Sequence, residues 1–248
     1  MGRVSLTDTV KKTSDGAILY DTDVLNQVSE GVFIPYGWVS VSSVGGVLNS
    51  AGRGHTLIVS DGTNDFVLRH YLRGGLPGTM IKDAYVWAGE HHTRSFREWH
   101  LLSKLWKRGL PVPRPVAARY CRSGLIYRAD LLTSRIPGIR SLAQRILERP
   151  GDREFWHSIG SALQWFHSEN VYHADLNAYN VQLDSEDNFY LLDFDRGEIR
   201  EPGSWTQENL ARLNRSLLKI KRMDERAAFG KSQWDDLLEG YFSESRSA

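Results

Sequence analysis

Apolar positions along the chain change their period several times, and each change marks an element. Between residues 38 and 71, short β-branched runs alternate with glycine and polar breaks: Gly54-His55-Thr56-Leu57-Ile58-Val59, then Asp61-Gly62, then Phe66-Val67-Leu68-Arg69. Runs of this length with turn residues between them predict antiparallel strands. From Ser95 to Arg108 the period lengthens. Phe96, Trp99, Leu102, Leu105 and Trp106 fall on one helical stripe, which Gly109 with Pro111, Pro113 and Pro115 ends. Residues 125–133 form another apolar run, and Ile136-Pro137-Gly138 behind it reads as a connector.

Beyond the connector Phe155, Ile159, Ala162, Leu163 and Phe166 recur at helical spacing up to Asn170, predicting a buried helix. Val181-Gln182-Leu183 and Phe189-Tyr190-Leu191-Leu192 flank the polar run Asp184-Ser185-Glu186-Asp187-Asn188, the pattern of a hairpin. Residues 206–222 place Leu210, Leu213, Leu217 and Ile220 on a second stripe, bordered by Arg212, Arg215, Lys219, Lys221 and Arg222. The expected fold is α+β: a β-rich N-terminal lobe with one helix, residues 1–133, and a mostly helical C-terminal lobe, residues 134–248, acting as one functional domain.

Composition narrows the partners. The 248 residues are 41% hydrophobic and 11% aromatic, too apolar for a disordered chain. With 31 Lys and Arg against 30 Asp and Glu, the net charge of +1 gives no global attraction to nucleic acid, so an anionic partner must be met by a local patch. The single Cys121 allows no intrachain disulfide and no thiolate zinc cluster, as expected of an intracellular protein. Met1-Gly2-Arg3-Val4-Ser5-Leu6 lacks the apolar core of a signal peptide, and no run reaches the length of a membrane span, so any membrane contact is expected to be peripheral. Nothing in the pattern points to an obligate protein partner.

Chemistry concentrates in Tyr172-His173-Ala174-Asp175-Leu176-Asn177-Ala178-Tyr179-Asn180 and in Leu192-Asp193-Phe194-Asp195. Asn180 follows Asp175 by five residues and Asp193 follows it by eighteen, with the hairpin between. Phosphoryl transfer needs a carboxylate facing the attacking hydroxyl and oxygen ligands for a Mg²⁺ that neutralises nucleotide phosphates. Asp175 supplies the first; Asn180 and Asp193 supply the second. Alone, Asp175 reads as a turn or cap aspartate, Asp193 as a strand-end aspartate, and His173 as a satisfied core histidine. Joint spacing is what carries the assignment.

Upstream, Gly52-Arg53-Gly54 precedes the Thr56–Val59 run where a phosphate-cradling loop is expected, although a plain turn has the same look. Arg69 stands where protein kinases place a strand lysine; a guanidinium clamps phosphate differently from an ammonium, so the site is either adapted or impaired. Arg73 and Lys82 are alternative phosphate-facing cations. Glu98 has two readings: partner of Arg69, or the return arm of a capping box Ser95-Phe96-Arg97-Glu98.

Taken together, Gly52-Arg53-Gly54, Val67-Leu68-Arg69-His70-Tyr71 with Arg73-Gly74-Gly75, His173-Ala174-Asp175-Leu176-Asn177 and Asp193-Phe194-Asp195-Arg196-Gly197 resemble the 3-deoxy-D-manno-octulosonic acid (Kdo) kinase family, over residues 30–240. The resemblance implies a bilobal protein-kinase-like fold and ATP-dependent phosphorylation of the 4-hydroxyl of Kdo on a lipid A precursor, with the enzyme peripheral at the cytoplasmic face of an inner membrane whose surface is anionic. By motif, Asp175 is implied as catalytic base and Asn180 and Asp193 as Mg²⁺ ligands. Gly52, Arg53 and Gly54 would form the ATP phosphate loop, Arg69 with Glu98 the phosphate-positioning pair, and residues 131–133 the segment meeting adenine. Arg196 is placed either to meet an acceptor carboxylate or to form a salt bridge, and the basic helix 206–222 either to meet lipid or to lie solvated. Competing readings are a kinase of another sugar or small-molecule hydroxyl, such as a core heptose, and a non-catalytic nucleotide-binding module.

Overall fold

In the computed structural model, which describes residues 5–43, 56–72 and 83–243, the chain divides into two units. The first is Met1–Gly109 with Pro113–Arg135; the second is Leu110–Val112 with Ile136–Ala248. The excursion of residues 110–112 into the second unit is tied down there, with the Leu191 amide donating to the Pro111 carbonyl at 3.0 Å.

The first unit is an eight-stranded sheet. Its strands are β1 (Asp8–Lys12), β2 (Gly16–Asp21), β3 (Ser40–Ser43), β4 (Thr56–Ser60), β5 (Asp65–His70), β6 (Tyr85–Val86), β7 (Pro115–Ser123) and β8 (Ile126–Ser134), and its one α-helix is α1 (Arg94–Lys107). The order is β1-β2-β7-β8-β5-β4-β3, with β6 also on β8, and the paired strands run antiparallel. Residues directly opposite one another share a face. On one face Leu68 pairs with Leu132, which pairs with Ala117; with Ile18, Val59, Phe66, Val28 and Phe33 they make a core cluster. On the other face Arg69 pairs with Leu131, and α1 packs there through its buried stripe of Phe96, Trp99, Leu102 and Leu105. Gly109 ends that helix in the left-handed region, φ 82°, which glycine adopts without strain.

The second unit holds β9 (Arg140–Ser141), α2 (Leu142–Glu148), α3 (Arg153–Ser168), β10 (Val171–Tyr172), β11 (Val181–Leu183), β12 (Phe189–Leu191), β13 (Glu198–Ile199), α4 (Trp205–Met223) and α5 (Lys231–Phe242). Here α3 and α5 pack so closely that a Cβ on Gly160 would overlap the Leu237 carbonyl, and one on Gly240 would overlap that of His157. The expected hairpin is β11 with β12; β9 adds a third strand to it. The α+β fold, with an antiparallel sheet and one α-helix before a mostly helical remainder, is as expected. Among the described residues, no helix is long and apolar enough to cross a membrane.

Candidate active site

In the second unit the loop from His173 to Asn180 is built on itself. Asn177 Oδ1 accepts from the amides of Tyr179 (2.8 Å) and Asn180 (3.2 Å), an Asx turn that reverses the chain after Asp175. Two side-chain amides, Asn177 Nδ2 at 2.9 Å and Asn180 Nδ2 at 2.8 Å, donate to the Asp175 carbonyl. Because Asn180 Nδ2 is committed there, Oδ1 is the end of that side chain left to face a ligand.

His173 behaves as the satisfied core histidine that the sequence suggests. It is buried; Nδ1 accepts from the Asp175 amide at 3.3 Å, and Nε2 donates to the Leu192 carbonyl at 2.9 Å. Burial pushes its pKa below the usual histidine value, so the ring is neutral and holds this tautomer. Leu192 is fixed from its other side as well, its amide donating to the Asn180 carbonyl at 3.0 Å. The next residue, Asp193, is thereby tied to both ends of the Asp175–Asn180 loop. It sits in the left-handed region at φ 65°, which costs a non-glycine residue about 1 kcal/mol. Phe194 then turns inward, edge-on to the His173 ring at 4.9 Å and stacked on Phe166 at 6.2 Å.

Sequence reasoning missed what holds this loop. Asn209 of α4, buried, clamps both backbone groups of His173: its Oδ1 accepts from the amide at 3.3 Å and its Nδ2 donates to the carbonyl at 3.0 Å. Two turns on, Ser216 Oγ accepts from the Ala178 amide at 3.2 Å. The signal that could have found Asn209 is an amide on the helix face otherwise lined by Leu210, Leu213 and Leu217. Between the two anchors, Arg212 Nη1 lies 3.6 Å from Asp175 Oδ1. Arg196 is exposed and makes no ion pair among the described residues, so its salt-bridge alternative has no support.

In the first unit Arg69, 18% exposed, forms an ion pair with Glu98, 3% exposed. Tyr71 completes a triangle: its hydroxyl donates to Glu98 Oε2 at 2.6 Å and accepts from Arg69 Nη2 at 3.0 Å, while the Arg69 guanidinium lies over its ring at 4.6 Å. Full burial, together with the Glu98 charge, raises the tyrosine pKa well above its ordinary value, so the hydroxyl stays a donor. Glu98 is therefore the partner of Arg69 and not a cap. The N-cap of α1 is Thr93, and Ser95 lies inside the helix, its hydroxyl donating to the Arg119 carbonyl at 2.9 Å. A capping box is present in α2, between Ser141 and Gln144.

Residues 131–133 do not suit adenine. They lie mid-sheet in β8 between β5 and β7, and the ladder continues through the Ser134 and Arg135 amides to the Arg114 and Asp65 carbonyls. Backbone groups first leave the sheet at Ile136-Pro137-Gly138. Gly52, Arg53 and Gly54, like Arg73 and Lys82, lie outside the described residues.

Hard oxygen donors are what Mg²⁺ selects, and it keeps several waters or phosphate oxygens of its own. The Asn180 amide oxygen and the Asp193 carboxylate fit that requirement, as an incomplete protein shell completed by a nucleotide. No group of three or more His, Cys, Asp or Glu side chains that could hold a metal occurs among the described residues, so an all-protein cage is not available there.

The sequence profile of the lipopolysaccharide kinase (Kdo/WaaP) family matches residues 42–241. A 3-deoxy-D-manno-octulosonic acid kinase of Xylella fastidiosa (strain 9a5c) is 44% identical over 209 residues, covering 84% of this chain and 82% of that protein. Another from Stenotrophomonas maltophilia (strain K279a) is 45% identical over 207 residues, covering 83% and 82%. Among solved structures, the bifunctional kinase-methyltransferase WbdD aligns with 75% of this chain and 41% of its own, at 16% identity and a TM-score of 0.44.

Proposed function

The chain belongs to the lipopolysaccharide kinase (Kdo/WaaP) family, and from that premise we propose that it transfers the γ-phosphoryl group of ATP to the 4-hydroxyl of a Kdo residue on a lipid A precursor. Identity of 44% over 84% of the chain to a 3-deoxy-D-manno-octulosonic acid kinase is the observation that supports Kdo as the acceptor sugar. For the chemistry, support comes from the loop that sets Asp175 and Asn180 on one turn and ties Leu192, the neighbour of Asp193, to both of its ends.

In this reaction the acceptor oxygen forms a bond to the γ-phosphorus, the bond from that phosphorus to the bridging oxygen breaks, and ADP leaves. The Asp175 carboxylate orients the hydroxyl and takes its proton as the bond forms. Asn180 and Asp193 would hold Mg²⁺, which when bound would neutralise charge on the phosphates. Arg69 clamps phosphate oxygens through its planar fork. Glu98 and Tyr71 fix that fork, so the strand arginine is an adapted positioning group and not a lesion. A peripheral place on the anionic cytoplasmic surface of the inner membrane follows from an acceptor that is itself a membrane lipid.

The test is direct: purified protein, Mg-ATP and the Kdo-bearing lipid A precursor are incubated and the lipid is weighed by mass spectrometry. A gain of one phosphoryl group on the Kdo sugar is expected. ATP turnover with an unmodified lipid would keep the kinase and discard this acceptor.

A further inference from the structure

We propose that α4 is the acceptor-binding element of the second unit: its exposed cations form an anion track that starts at Asp175, with Arg212 gripping the acceptor anion nearest the reacting hydroxyl. This rests on the acceptor assigned above, a sugar acid carried on a phosphorylated, acylated lipid.

The starting point is the contact of 3.6 Å between Arg212 Nη1 and Asp175 Oδ1, two side chains 46% and 29% exposed. A half-exposed pair at this distance contributes little to stability. It does set a guanidinium beside the carboxylate that the reacting hydroxyl must reach. An acceptor carboxylate arriving with that hydroxyl meets the guanidinium there, and the planar fork can bind it with two parallel hydrogen bonds. The stretch of helix that carries Arg212 is held in place: α4 is pinned to the same loop on either side of it, by Asn209 to His173 and by Ser216 to Ala178.

Outward along α4, Arg212, Arg215, Lys219 and Arg222 recur at spacings of three and four, so they share one stripe, and all four are exposed. Asn209, Leu210, Leu213, Leu217 and Ile220 bury the opposite face. Arg215, Lys219 and Arg222 make no ion pair among the described residues. From Arg212 to Arg222 the helix spans ~15 Å at the usual rise. That length suits an acceptor with several anionic groups and exceeds what one small sugar would need. Leu218, 42% exposed, and Met223, 70% exposed, flank the stripe as apolar contacts for an acylated ligand.

Equilibrium binding of the detergent-dispersed Kdo-bearing lipid A precursor, and separately of Mg-ATP, tests the proposal on the full chain without requiring turnover. Arg212→Ala and the double variant Arg215→Glu/Arg222→Glu are each expected to weaken acceptor binding by about tenfold or more, as for loss of charge-assisted hydrogen bonds, with Mg-ATP binding within twofold of wild type. Arg212→Lys is expected to recover only part, since it lacks the fork. Acceptor binding within twofold of wild type in Arg212→Ala, even with slower turnover, would overturn the proposal and leave Arg212 as a positioning group for Asp175. Equal loss by Arg212→Ala on phosphatidylglycerol vesicles lacking Kdo would also overturn it, by making the residue a general membrane contact. Failure of the functional assignment shows separately, as wild-type protein that binds the lipid but does not phosphorylate it.

Discussion

Asn209 and His173 are joined by a reciprocal pair of hydrogen bonds, side-chain amide to backbone amide and carbonyl, at 3.3 and 3.0 Å, with both residues 2% exposed. A helix thus fixes the residue two places before the proposed base. Asn209→Leu leaves two buried backbone groups unpaired and is expected to lower stability by about 2–4 kcal/mol. A displaced Asp175 should also lower kcat by about tenfold, with acceptor KM changed less. Denaturant unfolding and steady-state kinetics on the same preparation check both effects.

In the first unit, Tyr71→Phe removes the hydroxyl bridging Arg69 and Glu98 while leaving the ion pair. The expected loss is about 1 kcal/mol of stability and a few-fold rise in KM for ATP, without change in acceptor KM. Arg69→Ala is harsher: it strands a buried carboxylate and is expected to cost about 3–5 kcal/mol. An unaltered ATP KM in Tyr71→Phe would separate this triangle from nucleotide binding.

Gly160 and Gly240 set the approach of α3 to α5. In an isolated helix, glycine to alanine is worth about 1 kcal/mol of stabilisation. Gly240→Ala is expected to act in the opposite sense, lowering stability by about 2 kcal/mol or more, because the methyl group would enter the His157 carbonyl. Thermal unfolding reads the sign directly.

His167, buried on α3 and hydrogen-bonded through Nδ1 to the Tyr241 hydroxyl at 2.7 Å, has its pKa lowered by burial to about 4. Between that value and the ordinary histidine pKa the unfolded chain binds a proton that the folded chain refuses. Stability from this group is thus full above about pH 6.5 and declines as pH falls toward 4, by up to about 1.4 kcal/mol per pH unit. His70 acts in the other direction. Its pKa is raised, first by the hydrogen bond to Asp130, so its contribution is full below the ordinary histidine pKa and is lost as pH rises through the raised value. Comparing unfolding free energy against pH for wild type and His167→Gln isolates the first effect: the difference between the two curves should change below pH 6.5 and be flat above it.

Elements with a strong local period were legible. Helix α1 and the β11–β12 hairpin lie within a residue or so of where the sequence puts them, since each buries one face. β7 was not, because it runs centrally between β2 and β8 with Val116, Ala117 and Ala118 all buried, so apolar and polar positions do not alternate, and Pro111, Pro113 and Pro115 read as breakers. β1 is exposed along its whole length and exists only through pairing with β2. Helix α5 contains a glycine, normally a stop signal, whose role is close packing. At the site, Asp175, Asn180 and Asp193 could be singled out because their spacing is local to one loop and one hairpin. The choice between two roles for Glu98 could not be made, because Arg69 is 29 residues away and only the sheet register brings it to α1. Asn209 and Arg212 were hidden for the same reason, 36 residues beyond His173 in the one case and 37 beyond Asp175 in the other.

If Asp175 serves phosphoryl transfer from Mg-ATP to Kdo, its loss should show in the rate of that transfer to the Kdo-bearing lipid A precursor, compared between wild type and Asp175→Ala with thermal unfolding of both recorded alongside. The expected loss is about 10²–10⁴ in rate with the unfolding midpoint retained, as for removal of a general base. Transfer at near wild-type rate by a folded Asp175→Ala protein would contradict it.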